Sequence, residues 1–504
     1  METTIFGPPG TGKTTKLISI VQQEIENGTP PERIAFVSFS RKAAEEARSR
    51  AAEKLGMDSK QMVWFRTLHS LAFQYLGMST KDVLRSEDYS DLGRLVGLEF
   101  GSNSSLTMAD GALFTPGKGG DKYLSLIQLA RVRGVTLEEQ FNALGDWSLN
   151  FQQARVLDNA LSAYKKEMNK KDFVDMIEHF IAEGQGPSLD VLIVDEAQDL
   201  VPLQWKMIFD VLRPRAKRIY YAGDDDQCIY SWMGVDPRDF LNSSPNMELL
   251  QQSYRVPKSV HDEAQRVVSR LGVRKEKQWN SASHQGTVVW HHDIMDVDIR
   301  TGEWLILART NFIANKIASR LKDDGYLFYR EGSGWSISPN ILDAIEVWLR
   351  LCKGKTISAQ ELKKFEKQIK PTSLSKSGRT ILRSLDPETF YTLDDIIEKC
   401  SWPISKETPW HEVIKVSDKE QIYITSVRKA GEKILTGKPR VKISTIHRAK
   451  GGEADNVVLL LDSSKACSES PDQDGEVRAF YVGMTRAKQS LHLVEPQTRY
   501  GFYL

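Results

Sequence analysis

One short segment of the chain carries the residue types of a phosphate-binding loop. Gly7–Thr14 reads GPPGTGKT and fits the pattern G-x-x-x-x-G-K-[ST] in full. An apolar run precedes the segment, and a helical pattern over Lys16–Ile25 follows it. Such a loop directs backbone N–H groups at phosphate oxygens, and the helix N-terminus adds a favourable dipole. The residues predicted to hold a nucleoside triphosphate are Gly7, Gly10, Thr11, Gly12, Lys13, Thr14 and Thr15.

An acidic pair further along the chain supplies the groups that phosphate chemistry needs beside such a loop. Asp195 and Glu196 follow the apolar run Val191–Val194. Asp195 and the Thr14 hydroxyl are predicted to bind Mg²⁺, and Glu196 is predicted to accept a proton from the attacking water. The loop and the acidic pair together predict hydrolysis of a nucleoside triphosphate, and they leave its purpose open.

Parallel strands must position both segments. Apolar and β-branched runs alternate with helical patterns such as Lys42–Leu55 and Ile313–Asp323, which predicts an α/β fold. The predicted strands are Thr3–Phe6, Ile34–Phe39, Val191–Val194, Arg218–Ala222, Thr287–Trp290, Trp304–Ala308, Val441–Ile446, Asn456–Leu461 and Leu491–Val494. Two intervals, about 75–170 and about 336–436, are predicted to be mostly helical insertions. The first contains a Gly- and Ser-rich patch over 101–105 and 117–120, which predicts a flexible loop.

Composition limits the class of protein further. The 504 residues, 40% hydrophobic and 27% charged, are typical of a globular chain with more than one domain. The net charge of +1 means that any surface for nucleic acid must be local. Four scattered cysteines favour a reducing cytosol, and we expect neither a secretory leader nor a membrane-spanning segment.

Further motifs resemble those of the UvrD/Rep/PcrA group of superfamily 1 DNA helicases. In the family's order, the matching segments are Ser38–Ala44 (motif Ia), Thr67–His69 (Ib), Gly223–Gly234 (III), Ser253–Arg255 (IV), Ser444–Glu453 (V) and Tyr481–Ala487 (VI). With the phosphate loop and the acidic pair, they cover nearly the whole chain. The resemblance implies two RecA-like motor domains, in which helices flank parallel sheets, and an inserted, mostly helical subdomain in each.

The resemblance also implies domain boundaries and an activity. The implied domains are 1A over 1–74 and 171–250, insertion 1B over 75–170, 2A over 251–335 and 437–504, and a short insertion 2B over 336–436. ATP and Mg²⁺ would bind between 1A and 2A. The protein would then move along single-stranded DNA, with the 3′→5′ polarity usual in the family, and unwind duplex DNA in replication, repair or recombination.

Roles at the ATP site follow from the resemblance. Gln227 would sense the γ-phosphate, and Arg255 and Arg486 would act as arginine fingers. Such cations stabilise the charge of the transition state, so hydrolysis would require the two motor domains to close. Tyr254 would stack on adenine, and Glu453 in motif V belongs to the same site.

A motor that moves along DNA without reading its sequence needs aromatic faces for bases and donors for phosphates. The residues implied to contact DNA are Phe39, Arg41, Thr67, His69, Tyr230, Trp232 and His447. Among these, Trp232 is the best candidate for base stacking. Core packing is the alternative for both Trp232 and Phe39.

The sequence also departs from the family pattern. Six residues precede Gly7, so we expect no upstream adenine-contacting glutamine, and base recognition would depend mainly on Tyr254. Met233 stands where arginine commonly follows the motif III tryptophan, and Arg41 stands where asparagine is common. The chain ends soon after motif VI, so neither a partner-binding tail nor a fused nuclease is expected. The small size favours a phage or mobile-element source.

Several alternatives stay open. The segment 353–383 contains nine Lys or Arg against two Asp or Glu, and it is either a solvated helix face or a phosphate-contacting surface. The protein is a helicase, a translocase that remodels complexes on DNA without processive unwinding, or a nucleotide-gated DNA clamp. Its partners would be single-stranded and duplex DNA and replication or repair proteins, and it would act as a monomer or weak oligomer.

Overall fold

The computed structural model describes residues 1–101, 119–145, 148–431 and 439–504. Residues 437–438, at the predicted start of the last 2A segment, and most of the Gly- and Ser-rich patch lie outside these ranges. None of the helices in the described ranges has both the length and the apolar character needed to cross a membrane.

Strands and helices alternate over much of the chain. The strands are β1 (Glu2–Phe6), β2 (Ile34–Ser38), β3 (Trp64–Arg66), β4 (Leu189–Asp195), β5 (Ala216–Gly223), β6 (Met247–Leu249), β7 (Thr287–His291), β8 (Trp304–Ala308), β9 (Tyr329–Arg330), β10 (Gly334–Trp335), β11 (Ile357–Ser358), β12 (Phe390–Tyr391), β13 (Val441–Thr445), β14 (Ala454–Leu460) and β15 (Ala487–Val494). The α-helices are α1 (Lys13–Glu26), α2 (Arg41–Leu55), α3 (Leu68–Tyr75), α4 (Ser86–Val96), α5 (Gly119–Arg133), α6 (Leu137–Leu144), α7 (Phe151–Glu167), α8 (Phe173–Glu183), α9 (Pro202–Met207), α10 (Pro237–Leu241), α11 (Lys258–Val268), α12 (Asn311–Asp323), α13 (Pro339–Cys352), α14 (Ala359–Glu366), α15 (Lys376–Ser384), α16 (Leu393–Cys400), α17 (Trp410–Val413), α18 (Asp418–Lys429), α19 (Lys465–Ser468) and α20 (Gln473–Met484).

The first sheet has six parallel strands in the order β3-β2-β4-β5-β1-β6. Successive side chains of β4 point to opposite faces. Leu192 and Val194 pack on one face with α8 and α9, whereas Val191 and Ile193 pack on the other with α1 and α2. The carboxyl ends of parallel strands meet at one edge, so the loops after β1, β2, β4 and β5 lie together. These loops carry the phosphate loop, motif Ia, the acidic pair and motif III.

The second sheet has seven strands in the order β10-β9-β13-β8-β14-β15-β7, and all neighbours are parallel except β9 and β10. Helices α11 and α20 pack on one face and α12 packs on the other. β7 is an edge strand, and its Val289 and Trp290 are 38% and 47% exposed. One buried cluster joins Tyr230, in the loop after β5, to Ile446 and Phe480 of the second sheet's layers. The two sheets therefore share a core.

The two predicted insertions are mainly helical. Helices α4 to α7 surround a separate apolar cluster, and α13 to α18 surround another together with the antiparallel pair β11 and β12. All nine predicted strands are present, with ends that differ by a few residues. The prediction missed β3, β6 and β9 to β12, which are only two or three residues long. Such short strands are defined by hydrogen bonds to a neighbouring strand rather than by a long apolar run.

Candidate functional site

The phosphate loop lies at the carboxyl edge of the first sheet, between β1 and α1. The Gly7 N–H donates to the Gly223 carbonyl (2.8 Å), and the Thr11 hydroxyl donates to the Pro8 carbonyl (2.8 Å). Gly12 has a left-handed backbone with φ of 77°, and α1 begins at the next residue. The loop therefore ends at a helix N-terminus, where backbone N–H groups without helical partners stabilise an anion.

Motif IV is held against this loop. Gly10 has φ of 74°, and a Cβ added to it would lie 2.5 Å from the Cβ of Arg255. The Gly10 carbonyl accepts from the Tyr254 N–H (2.8 Å), and the Ser253 hydroxyl donates to the Pro9 carbonyl (2.8 Å). Glycine is required at position 10 both by its backbone conformation and by this close approach.

Lys13 connects the loop to the acidic pair. Its ammonium lies 2.5 Å from Glu196 Oε1 and 3.7 Å from Asp195 Oδ1, and its side chain is largely buried. Burial opposes the positive charge, but the two carboxylates outweigh it and raise the pKa of Lys13 above its ordinary value. The lysine is therefore charged, and it lies where the backbone of the glycine-rich loop curves.

The two carboxyl groups of the acidic pair differ. Burial raises the pKa of Asp195 to about 6, with Lys13 opposing the rise and Glu196 adding to it. Burial also acts to raise the pKa of Glu196, but Lys13 and Lys450 outweigh it and lower that pKa to about 2. Glu196 has φ of 53°, which is uncommon for a residue with a side chain and typical of strained functional positions. Glu196 is thus held as a carboxylate at neutral pH.

Gln227 forms a hydrogen-bonded bridge between the two sheets. Its Nε2 donates to Asp224 Oδ2 (2.8 Å), and its Oε1 accepts from Arg486 Nη2 (2.9 Å). Arg486 is 2% exposed and also donates to the Val482 carbonyl (2.9 Å). Burial and the nearby Arg255 charge lower the pKa of Arg486 to about 9, so its guanidinium is still charged at neutral pH.

Arg255 and Tyr254 lie side by side next to the phosphate loop. Arg255 Nη1 donates to Glu453 Oε2 (3.2 Å), and burial lowers the pKa of Arg255. The Tyr254 side chain is 77% exposed, so a face of its ring is open to a base. The structure therefore brings the residues predicted for ATP together from both sheets.

Lys450 is a site residue for which the sequence predicted no role. Its ammonium donates to both carboxylate oxygens of Asp199 (2.6 Å each) and to the Gln227 carbonyl (2.6 Å). It also lies 5.2 Å from the centroid of the Tyr230 ring. Lys450 lies within motif V and Asp199 lies three residues after the acidic pair, but no spacing along the chain indicates that they meet.

Gln198 is a second such residue. Its Nε2 donates to Glu196 Oε2 (2.7 Å), and its Oε1 accepts from the Asp224 N–H (3.1 Å). Gln198 therefore links the glutamate to the start of the turn that carries Gln227. Its position two residues after Glu196 was the available signal.

A row of aromatic rings crosses from the first sheet to the second. The Phe39 ring stacks on Tyr230 with centroids 5.3 Å apart, and Tyr230 meets the edge of the His447 ring at 6.0 Å. Tyr230 and His447 are each 5% exposed, and His447 Nε2 lies 3.1 Å from the Ile229 carbonyl oxygen. Burial and Arg309 lower the pKa of His447 to about 3. Packing between the sheets covers both rings in this structure, and the contact of Tyr230 and His447 with DNA stays a prediction.

The motif Ib residues also have structural contacts. Thr67 is 4% exposed, and its hydroxyl accepts from the Ser70 N–H and caps α3. The predicted contact of Thr67 with DNA stays a prediction. His69 meets the Phe173 ring edge-on at 6.1 Å, and burial with the nearby Arg41 charge lowers its pKa to about 4. Arg41 itself is exposed.

Phe39 and Trp232 are half-buried at the margin of the cluster that the two sheets share. Trp232 Nε1 finds no hydrogen-bond acceptor within the described part of the chain. Of the residues predicted to contact DNA, four therefore keep exposed surface: Phe39, Arg41, His69 and Trp232.

The basic segment 353–383 is partly accounted for by internal contacts. Arg379 donates to Glu366 (2.8 Å) and to the Ile369 and Lys370 carbonyls (2.9 and 2.8 Å). Arg383 pairs with Glu366 (2.9 Å). These two arginines stabilise the packing of α14 against α15, a role that neither interpretation of the segment included.

The structure has two mainly parallel sheets, a phosphate loop on the first and a buried arginine of the second that reaches Gln227 of the first. These features define a P-loop protein with paired RecA-like folds. Residues 1–248 match the model of the UvrD/REP helicase N-terminal domain, and residues 356–497 match that of the UvrD-like helicase C-terminal domain. The chain belongs to the UvrD/Rep helicase family. This confirms the predicted family and the predicted α/β fold.

Individual relatives agree with this assignment. The chain is 24% identical over 314 residues to the ATP-dependent DNA helicase PcrA of Leuconostoc citreum, covering 57% of this chain and 40% of the relative. It is 22% identical over 309 residues to PcrA of Staphylococcus aureus, and the match covers 58% of this chain and 41% of that relative. It is 25% identical over 603 aligned positions to the helicase-like protein YjcD of Bacillus subtilis. That match covers 99% of this chain and 77% of YjcD. The chain thus spans about two fifths of the length of the PcrA relatives.

Proposed function

We propose that this protein is an ATP-dependent DNA helicase that moves along single-stranded DNA. The contact between Gln227 and Arg486 is the observation that carries the proposal, because it brings a cation of the second sheet to the phosphate side of the first. A cation in this place stabilises transition-state charge only while the sheets are together, which couples hydrolysis to their closure. The relatives named as ATP-dependent DNA helicases support ATP and DNA as the substrates.

The residues present fit ATP with Mg²⁺. Space and backbone conformation require glycine in the phosphate loop, since a Cβ on Gly7 would lie 2.9 Å from the Cβ of Lys13. In the described ranges no three His, Cys, Asp or Glu side chains converge into a metal site. The Thr14 hydroxyl and the Asp195 carboxylate offer two oxygen ligands, which suits Mg²⁺ because that ion keeps water and takes substrate phosphates. When bound, Mg²⁺ would neutralise charge on the phosphates.

The side chains then divide the chemistry of hydrolysis. The Lys13 ammonium transfers from Glu196 to the phosphates, which frees the Glu196 carboxylate to accept a proton from the attacking water. Gln227 orients groups at the γ-phosphate, and Arg255 and Arg486 stabilise the charge that develops there. Tyr254 stacks on the base.

The proposed domains are those predicted above, with ATP between 1A and 2A. The six strands of the first sheet lie within 1–74 and 171–250, and the seven of the second lie within 251–335 and 437–504. Each cycle of closing and opening alternates the grip of the two domains on a single strand. Phe39 and Trp232 offer aromatic surface to the bases and Arg41 offers charge to the phosphates.

Unwinding of 3′-tailed, 5′-tailed and blunt duplexes, with ATP and with the other nucleoside triphosphates, tests the proposal. We expect unwinding of the 3′-tailed duplex with ATP, and the isosteric variant Glu196→Gln should lower DNA-stimulated turnover by about 100-fold or more. ATP turnover without strand displacement would indicate a translocase. Nucleotide-dependent DNA binding without turnover would indicate a clamp and contradict the proposal.

A further inference from the structure

A buried lysine outside the motifs faces the turn that carries Gln227. Lys277 lies in the segment between α11 and β7, and its side chain is 1% exposed. Its ammonium lies 2.5 Å from Asp225, 2.9 Å from Asp226 and 3.3 Å from Asp224. All three aspartates are 0% exposed, and they immediately precede Gln227.

The segment around Lys277 is attached to this turn at several points. Arg274 Nη2 donates to Asp226 Oδ2 (2.9 Å), and the Lys275 backbone N–H donates to Asp225 Oδ2 (2.7 Å). From α20, Arg478 Nε donates to the Asp225 carbonyl (3.0 Å). Side chains from the layers of the second sheet therefore hold a turn of the first sheet by charge and by hydrogen bonds to its backbone.

The charges make Lys277 critical to this attachment. Three carboxylates that share one buried space repel each other, and removal of a buried cation leaves charge that no solvent screens. The Asp224 carboxylate contacts both Lys277 and Gln227. Its Oδ1 lies 3.3 Å from the Lys277 ammonium, and its Oδ2 accepts a hydrogen bond from Gln227 Nε2 (2.8 Å). The other end of the Gln227 amide meets Arg486. A continuous series of contacts thus leads from Lys277 through Asp224 and Gln227 to Arg486.

We propose that Lys277 is a positioning residue for ATP hydrolysis: by offsetting charge on the three aspartates, alongside Arg274, it holds the Gln227 amide in the orientation that meets Arg486. The inference rests on the proposed function and adds a residue to its machinery. Lys277 acts through Asp224 and Gln227 rather than on the nucleotide. Its loss therefore affects the rate of the chemical step more than the binding of ATP.

Steady-state ATP turnover with single-stranded DNA tests this role in Lys277→Met. We expect kcat to fall by about tenfold to 100-fold, since small displacements of reacting groups cost rates of that order. KM for ATP should stay within about twofold, because the phosphate loop is unaltered. Lys275→Met, which removes an exposed lysine of the same segment, is the matched control and should keep wild-type values.

A compensating variant separates positioning from general stability. Asp225 contacts Lys277 but not Gln227, so adding Asp225→Asn to Lys277→Met removes one unpaired carboxylate. We expect the double variant to recover kcat to within about threefold of wild type. Thermal unfolding of the same samples shows how much protein is folded. Wild-type kcat per folded Lys277→Met molecule, or recovery of thermal stability without recovery of kcat in the double variant, would overturn the inference.

If Lys277→Met does not fold, kcat is measured for Lys277→Arg instead. The larger guanidinium keeps the positive charge but displaces the aspartates. A wild-type kcat for Lys277→Arg would overturn the inference. Absence of turnover in the wild-type protein would overturn the proposed function together with this inference. Wild-type turnover with an unchanged variant would count against the role of Lys277 alone.

Discussion

The Arg486 guanidinium donates a 2.9 Å hydrogen bond to the side-chain oxygen of Gln227, 259 positions earlier in the chain. The first residue comes from the layers of the second sheet and the second from the carboxyl edge of the first. Both are buried, so water competes little and the bond is electrostatically stronger than it would be at the surface. The predicted phosphate sensor and one predicted arginine finger therefore act as one unit.

Arg486→Ala should lower kcat for DNA-stimulated ATP turnover by about 1,000-fold or more, because a cation at the transferring phosphoryl group contributes on that scale. Since Arg486 and Gln227 act together, the double variant Gln227→Ala with Arg486→Ala should be no slower than the slower single variant. Arg300→Ala, which changes an exposed arginine beside Asp298, is the control. Multiplicative losses in the double variant would show that the two residues act independently.

Tyr254→Ala should raise KM for ATP by about threefold to tenfold, which corresponds to the loss of one aromatic contact, with kcat retained. The ring is 77% exposed, so its removal should leave the stability of the protein unchanged. Tyr254→Phe keeps the stacking face and should behave as wild type. Titration of ATP in steady-state turnover measures both constants, and an unchanged KM in the alanine variant would remove the stacking role.

Trp232→Ala should weaken binding of single-stranded DNA by about tenfold or more, as expected for one lost base-stacking contact. Trp290→Ala is the matched control, because this tryptophan is 47% exposed on the edge strand β7. Fluorescence anisotropy with a labelled oligonucleotide compares the two affinities. Equal affinity in both variants would assign Trp232 to core packing.

Acid should destabilise the protein through His447. Its pKa of about 3 in the folded protein lies below its ordinary value of 6.5, so the unfolded chain binds a proton that the folded protein does not. The free energy of unfolding should therefore decrease as the pH falls from 6.5 toward 3, by up to about 1.4 kcal/mol per pH unit from this group. Above pH 6.5 its contribution is fully present.

Urea unfolding at several pH values measures this slope. His447→Gln should make the decline less steep, whereas His292→Gln on the surface should leave it in place. His69, with its pKa lowered to about 4, should keep part of the slope in both variants. A His447→Gln protein with the wild-type slope would contradict the assignment.

Local sequence patterns determined many of the strands and two of the functional segments of this protein. The phosphate loop, the acidic pair and the nine predicted strands could be read from the sequence because each depends on near neighbours. Apolar runs define buried strands, and glycines spaced within eight residues define the loop. The motifs in their order were enough to indicate the family.

Only the tertiary structure decided which of these residues meet. Lys450 pairs with Asp199 across 251 positions, and Lys277 reaches an aspartate turn some 50 positions earlier, because the two sheets pack together. Burial was decided in the same way. The motif III residues Tyr230 and Trp232 are two positions apart, yet the shared core covers the first and leaves the second half-exposed. Spacing along a chain specifies neither contacts over such distances nor which face of a turn the packing encloses, because both depend on how complete layers pack.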